Sequence, residues 1–188
     1  MSVYKGKTLF NKTIIAAVRN NNDLKYVLKS DIEIIFVLYG SISSIISICS
    51  VLREHGKIPL VHLDLIDGLK PDKKGIEFIN KYAKPFGIIT TKQGHIKLAK
   101  EASLYTIQRI FVVDSLSLES AKKNINSSMP DAVEVMPGIA WKVIESLKES
   151  VNLPIIAGGL ISSRNEIEET LRMGATAIST SEKSLWGL

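Results

Sequence analysis

The sequence predicts a (β/α)8 barrel, and two observations carry that prediction. Short β-branched runs alternate with amphipathic stretches eight times along the 188 residues, which is the pattern of βα units. Most of these runs are apolar on both faces, as strands of a buried parallel sheet are. An open doubly wound sheet is the rival fold, but no GxGxxG or GxxxxGK[ST] motif follows the first run. Because such barrels usually have ~200 residues or more, we expect a compact barrel with short helices.

The eight apolar runs are the candidate strands. In chain order they lie at residues 14–18, 34–39, 59–65, 86–90, 105–112, 132–136, 154–157 and 175–179.

Helical stretches fall between these strands. Apolar residues recur at i, i+3 and i+4 spacing near residues 24–28, 42–52 and 139–147, and Gly56 ends the second of these stretches. The pattern therefore predicts an amphipathic helix that packs on the sheet in each of these places.

The seventh helix is the best marked, and the eighth is nearly missing. Ser163 followed by Glu166 predicts a capping box, and Gly174 stands where a left-handed residue would end the helix. After the last strand, the segment SEKSLWGL supplies about two turns, with Leu185 and Trp186 as the apolar face. We therefore expect a truncated last helix.

Composition indicates one folded domain that covers residues 1–188. Hydrophobic residues make up 45% of the chain, which argues against disorder. The longest apolar run, at residues 32–39, is far shorter than the ~20 residues of a membrane span, and the N-terminal segment lacks the apolar core of a signal peptide. Cys49 has helical spacing among apolar residues and is expected to be a buried thiol. We expect a cytoplasmic protein.

Two loops at neighbouring strand ends predict a phosphate site. Gly158 and Gly159 follow the seventh strand, where backbone N–H groups can approach an anion closely. The segment "STS", Ser179 to Ser181, follows the eighth strand with hydroxyl and N–H donors. A tight turn explains a glycine pair alone, but in these barrels the loops after strands seven and eight commonly bind phosphate.

Polar residues at other strands could hold the remainder of a ligand. Alternation places His62 and Asp64 on one face of the third strand and Glu134 on a face of the sixth that we expect to point into the barrel. Arg109 lies within the fifth strand, and Arg19 closes the first. If Arg109 is buried, it needs a carboxylate partner or an anion. As a group these residues suit a small phosphorylated polyol.

Other interpretations of the same residues stay open. His62 alone fits a hydrogen-bonded core histidine, and the two carboxylates fit structural partners of an arginine. His62, Asp64 and Glu134 could form a metal set, although the spacing supports zinc poorly. No lysine lies in the middle of a predicted strand, which disfavours a Schiff-base aldolase and leaves Lys92 as an outside candidate. We expect no metal ion and no cofactor.

Seven segments occur in a particular order and spacing: TIIAAVRN, VHLDLIDGL, FGIITTK, TIQRIFVVDSLSLES, VEVMPGI, PIIAGGLI and AISTS. In both respects the chain resembles the glycerol-3-phosphate-responsive antiterminator family, the glycerol uptake operon regulators of bacteria. The segments TIQRIFVVDS and EVMPGI are specific to that family, whereas the pair AGG and STS is shared with many phosphate-binding barrels. The resemblance spans nearly the whole chain.

The resemblance implies a (β/α)8 sensor without catalytic activity. Glycerol 3-phosphate would be the ligand, and the protein would act on leader mRNA of glycerol-metabolism genes, preventing early termination or stabilising the message. By position, the phosphate would lie on Gly158, Gly159, Ser179, Thr180 and Ser181, and the glycerol end near Asp64, Arg109, Glu134, Arg19 and Gly138.

The lysine distribution predicts an RNA surface that the resemblance does not supply. Residues 70–100 hold eight lysines against Asp72 and Glu77, whereas the formal charge of the whole chain is only +5. This segment covers the third helix, the fourth strand and the fourth helix, whose outer faces would be adjacent on a barrel. A solvated lysine-rich face is the alternative. The proposed RNA contacts are Lys70, Lys73, Lys74, Lys81 and Lys84.

Two other function classes compete with a regulator. A phosphosugar isomerase or epimerase explains the phosphate site and the carboxylates but not the basic segment. A pure binding or scaffold protein explains neither feature as well.

Overall fold

The computed structural model describes residues 9–10 and 13–187 and is a closed barrel of eight parallel strands. Neighbours in chain order pair side by side, and the first strand pairs with the last, so the predicted fold class is confirmed. The strands are β1 (Thr13–Val18), β2 (Ile34–Val37), β3 (Ile58–His62), β4 (Gly87–Thr90), β5 (Tyr105–Phe111), β6 (Ala132–Met136), β7 (Ile155–Gly158) and β8 (Ala177–Thr180). The helices are α1 (Asn21–Val27), α2 (Ile45–Glu54), α3 (Lys73–Phe78), α4 (Gln93–Glu101), α5 (Ser115–Ser128), α6 (Trp141–Ser150) and α7 (Arg164–Arg172).

The helices are short, as the chain length requires, and several end as predicted. The reciprocal capping box of Ser163 and Glu166 begins α7, and Gly174 follows that helix with a φ of +110°. Gly56 after α2 has a φ of +72°. The predicted start of the second helix is wrong by three residues, because a turn from Ser41 to Ser44 precedes α2 and is closed by the Ser44 N–H donating to the Ser41 carbonyl.

Two segments at strand ends differ from the prediction. The third strand ends at His62, and Asp64 lies in a 3-10 turn, Leu63–Leu65, so placing Asp64 on the strand face by alternation was wrong. The last helix is a single 3-10 turn, Lys183–Leu185, and not two turns. Its apolar residues Leu185 and Trp186 are buried as expected, and the Trp186 indole donates to the Thr180 carbonyl at 2.9 Å.

The barrel interior has an apolar floor and a polar layer above it. Leu60, Ile107 and Ala132 belong to the interior apolar cluster. Two residues further along their strands, on the same faces, stand buried polar side chains instead. The sequence alternation therefore places polar groups at the carboxyl ends of the strands, where ligands bind in this fold.

Cys49 is fully buried in the outer core between strands and helices. Burial raises the pKa of its thiol to about 12, which keeps it protonated, as expected for a structural cysteine. Within residues 9–10 and 13–187 no helix is both long and apolar enough to cross a membrane.

Candidate ligand site at the carboxyl end of the barrel

Four buried polar side chains form the layer above the apolar floor. His62 belongs to β3, Arg109 to β5, Glu134 to β6 and Ser179 to β8. Their exposed fractions are 7% or less, and Glu134 is completely buried. Burying charged groups is costly unless they are paired, so their partners decide what this layer can do.

Glu134 is the centre of this layer. The Arg109 Nε donates to its Oε2 at 2.6 Å, and the Ser179 hydroxyl donates to its Oε1 at 2.6 Å. The expectation that a buried Arg109 has a carboxylate partner is thus met by Glu134. The two Nη groups of Arg109 find no hydrogen-bond partner among the described residues, yet neither is sealed from solvent. A guanidinium in this state can still bind an anion or a hydroxyl oxygen.

Gly158 and Gly159 must be glycine for two different structural reasons. Gly158 is the last residue of β7 and pairs with Ser179, so placing it in the loop was wrong. A Cβ on Gly158 would overlap the Ser179 hydroxyl and lie 2.6 Å from the Glu134 Oε1, and glycine is needed there to make room for the polar layer. Gly159 lies in the loop with a φ of +78°, a conformation that side chains disfavour.

The loops after β7 and β8 are joined to each other. The Thr180 hydroxyl donates to the Ile161 carbonyl at 3.0 Å and accepts from the Glu182 N–H. Within the described part of the chain, the N–H groups of Gly159 and Ser181 have no acceptor. The arrangement therefore offers backbone donors at the barrel mouth, while the Thr180 hydroxyl is used to hold the loops together.

Gly138 supports this loop from the neighbouring strand end. Its N–H donates to the Gly158 carbonyl at 2.6 Å and to the Gly159 carbonyl at 3.1 Å. A Cβ on Gly138 would lie 2.9 Å from the Gly158 nitrogen. Gly138 thus fixes the glycine pair through the backbone.

Asp64 stands beside the polar layer at the ends of β3 and β4. Its Oδ2 accepts from the Thr91 N–H at 2.9 Å and from the Thr90 hydroxyl at 3.0 Å, and the His95 Nδ1 lies 3.4 Å from its Oδ1. Burial alone would raise the pKa of Asp64, but the hydrogen bonds from Thr91 and Thr90 hold it below the usual value. His95 was not predicted from the sequence as part of this site. Its position five residues after Thr90, across the turn into α4, was the available signal.

His62 is not the hydrogen-bonded core histidine that one interpretation expected. Its Nδ1 is buried and has no hydrogen-bond partner, and the nearest carboxylate oxygen, Oδ2 of Asp64, lies 4.0 Å away. Burial, and then the charge of Arg109, lower the pKa of His62 to about 4 against the opposite effect of Asp64. The imidazole is therefore neutral near pH 7.

Two other predicted residues lie apart from this cluster. Arg19 is exposed after β1, and its one hydrogen bond to a described residue is from its backbone N–H to Asp23. Lys92 is exposed at the start of α4. The structure therefore does not bring Arg19 or Lys92 into contact with Glu134. Among the described residues no three His, Cys, Asp or Glu side chains come close enough to hold a metal ion.

The predicted basic segment divides into paired and unpaired lysines. Lys70 lies 3.4 Å from Asp72 and Lys74 lies 3.0 Å from Glu77, whereas the three other candidate lysines are exposed and make no ion pair with a described residue. Two of them line a groove of about 460 Å³ beside α3 and α4. Of the five proposed RNA contacts, the unpaired ones are Lys73, Lys81 and Lys84, and the first two line the groove.

Comparison with known proteins gives consistent matches over nearly the whole chain. A family model described as glycerol-3-phosphate responsive antiterminator matches residues 14–186. An Escherichia coli (strain K12) protein named YgcP and described as uncharacterized is 34% identical over 175 residues, which are 93% of this chain and 92% of that protein.

Two solved structures are similar in both sequence and fold. The glycerol uptake operon antiterminator regulatory protein of Listeria monocytogenes has a TM-score of 0.92 and 32% identity, with 96% of this chain and 97% of that chain covered. A glycerol uptake operon antiterminator-related protein of Thermotoga maritima has a TM-score of 0.84 and 31% identity, with 95% and 99% covered. Aldolases and an epimerase at 13% identity share the barrel fold alone.

Proposed function

The chain belongs to the glycerol-3-phosphate responsive antiterminator family, and from that premise we propose that it is a cytoplasmic glycerol 3-phosphate sensor that binds leader mRNA of glycerol-metabolism genes. Its action on the message is to prevent early termination or to stabilise the transcript. The single observation that supports the ligand most strongly is Arg109, a buried guanidinium that Glu134 holds by Nε only. Its two Nη groups have no partner among the described residues and can donate to the ligand, and its positive charge favours a ligand that is anionic.

The phosphate contacts in this proposal come mainly from the backbone. The N–H groups of Gly159 and Ser181 lack acceptors among the described residues, and oriented N–H groups at the start of a loop or helix favour anions. The hydroxyls of Ser179 and Thr180 are engaged with Glu134 and Ile161, so they position the loops. Gly158 and Gly138 keep the site open and in place.

The glycerol end fits the polar layer. Carboxylates such as Glu134 and Asp64 accept hydrogen bonds from hydroxyls, and the Nη groups of Arg109 donate to them. Both oxygens of Glu134 already have protein donors, which suits a binding role better than proton transfer. The proposal therefore needs no catalytic residue, no metal and no cofactor.

The RNA contacts belong to the basic segment on the outside of the barrel. Lys73, Lys81 and Lys84 are exposed and unpaired with respect to the described residues, so their charges are available to RNA phosphates. Lys70 and Lys74 have carboxylates beside them and contribute less.

Calorimetric titration tests the ligand proposal. The purified protein is titrated separately with glycerol 3-phosphate, glycerol and ribulose 5-phosphate. We expect binding of glycerol 3-phosphate that is much tighter than that of the other two and is accompanied by no chemical turnover. Turnover of a phosphosugar would show that the protein is an enzyme, and absence of glycerol 3-phosphate binding would refute the sensor.

A further inference from the structure

His62 contains the one buried side-chain nitrogen or oxygen without a hydrogen-bond partner that is found among residues 9–10 and 13–187. The residue is 2% exposed, yet its Nδ1 stops 4.0 Å short of the Asp64 carboxylate. Nearly all buried polar groups in native proteins are hydrogen-bonded, so such an atom requires an explanation. The other ring nitrogen, Nε2, also has no partner among the described residues, but it is not sealed from solvent.

The position of His62 in the barrel indicates which end of the proposed ligand it would face. Its side chain stands above Leu60 in the polar layer, close enough to Arg109 for that charge to affect it. In a closed barrel with strand order β1 to β8, β3 lies across from β7. A ligand whose phosphate lies on the loops after β7 and β8 therefore extends its other end toward β3.

We propose that His62 is a specificity-determining residue that binds a hydroxyl of the ligand's polyol end through Nε2, while its Nδ1–H is held by Asp64. The proposal rests on the proposed function, because the phosphate loops decide which end of the ligand faces His62. The 4.0 Å gap between Nδ1 and Asp64 closes to a hydrogen bond when the ligand is bound. Asp64 itself is fixed by Thr90 and Thr91, so the imidazole is the group that moves.

The charge state of the ring decides which ligand group it recognises. A neutral imidazole has one donor and one acceptor nitrogen, and the pKa of about 4 keeps His62 neutral at physiological pH. With Nδ1–H directed at Asp64, Nε2 is an acceptor and pairs with a hydroxyl, not with a phosphate oxygen. Arg109 supplies the positive charge of the layer, and the Nε2 of His62 accepts a hydrogen bond from the ligand hydroxyl.

Imidazole NMR of the whole wild-type protein tests this inference directly. Two-bond 1H–15N spectra are recorded during titration with glycerol 3-phosphate and, separately, with inorganic phosphate. The His62→Asn spectrum identifies the His62 signals, and His55, which is exposed and bonded to the Val51 carbonyl, is the internal control. We expect glycerol 3-phosphate alone to shift the His62 nitrogens and to leave a single Nδ1–H tautomer.

The outcomes separate this inference from the proposed function. If calorimetry shows glycerol 3-phosphate binding and the His62 signals do not move, His62 does not bind the ligand, and the proposed sensor function is still supported. If glycerol 3-phosphate does not bind at all, the proposed sensor function is refuted, and the role of His62 is refuted with it.

Two variants give a second readout. We expect His62→Phe to weaken glycerol 3-phosphate binding about five- to tenfold, as for one lost hydrogen bond, and to leave the weak binding of inorganic phosphate unchanged. His62→Gln, which keeps a polar end, should recover part of the loss. Equal weakening of both ligands by His62→Phe would assign the residue a merely structural role and overturn the proposal.

Discussion

The Nε of Arg109 lies 2.6 Å from the Oε2 of Glu134, and both side chains are inside the barrel with at most 8% of either exposed. The ion pair uses only the Nε edge of the Arg109 guanidinium. The two Nη groups of Arg109 have no partner among the described residues. The same carboxylate accepts from Ser179, so strands β5, β6 and β8 are linked across the barrel mouth. The same residues therefore stabilise the fold and form the ligand site.

Glu134→Gln is expected to lower both stability and ligand affinity. Removing the negative charge leaves Arg109 buried without a counter-ion, which costs about 3 kcal/mol in the free energy of unfolding. Urea unfolding measures this loss. At a fixed concentration, glycerol 3-phosphate should stabilise the variant less than it stabilises wild type, because the variant binds it more weakly. The matched control is Glu169→Gln, which affects an exposed pair with Arg172 and should change little. Equal stability of Glu134→Gln and wild type would contradict the account of the pair.

Gly159→Ala is expected to destabilise the barrel and weaken ligand binding, whereas Gly94→Ala is not. Gly159 has a φ of +78° and its Cβ would lie 2.8 Å from the Met136 Cε, so alanine costs about 1–2 kcal/mol and shifts the donor N–H. Gly94 lies in α4 with open space around a Cβ, and alanine there should stabilise by about 0.5 kcal/mol. Thermal unfolding and calorimetry measure both effects. Unchanged affinity in a folded Gly159→Ala protein would remove this loop from the phosphate site.

Acid is expected to destabilise the protein well before its carboxylates titrate. The pKa of His62 is lowered to about 4 in the folded state, against about 6.5 in an unfolded chain. Between these values the unfolded chain binds a proton that the folded chain does not, so stability falls as pH falls through this window, by about 3 kcal/mol in total. His95, whose pKa burial also lowers, acts in the same direction. Urea unfolding at pH 7, 6 and 5 measures the slope, and His62→Asn should remove most of it. The same slope in that variant would mean that other groups cause it.

The unpaired lysines are expected to carry the salt dependence of RNA binding. Changing Lys73, Lys81 and Lys84 together to Ala should weaken leader-RNA binding and flatten the slope of log affinity against log salt by ~0.7 for each lost phosphate contact. Glycerol 3-phosphate binding should be unaffected. The control with the same loss of charge changes Lys29, Lys123 and Lys142, which are exposed elsewhere. If the control has the larger effect, the RNA surface lies outside the basic segment.

The sequence was sufficient for the barrel because each strand has a local signature. Apolar runs gave all eight strands, and the Ser163 capping box and Gly174 gave both ends of α7. The end of β3 could not be read in this way. Asp64 leaves the strand because its carboxylate is held by Thr90 and Thr91, and contacts between residues so far apart in the chain are not visible in a local pattern.

The sequence predicted which residues form the site better than it predicted the contacts between them. Alternation placed Glu134 inside the barrel, and the need of a buried Arg109 for a carboxylate was correct. That Ser179 would donate to Glu134, and that Gly158 must lack a side chain to permit it, depends on three strands meeting at one point. The orphaned Nδ1 of His62 is likewise a property of packing.

Whether ligand binding and RNA binding are coupled in this protein can be measured directly. Fluorescence anisotropy gives the affinity of the purified protein for a labelled leader RNA of a glycerol-metabolism gene, without ligand and with saturating glycerol 3-phosphate, glycerol or inorganic phosphate. Coupling between two sites commonly changes affinity by ~5- to 150-fold. We expect glycerol 3-phosphate alone to tighten RNA binding within this range. Equal RNA affinity with and without glycerol 3-phosphate, in a protein that binds both, would contradict it.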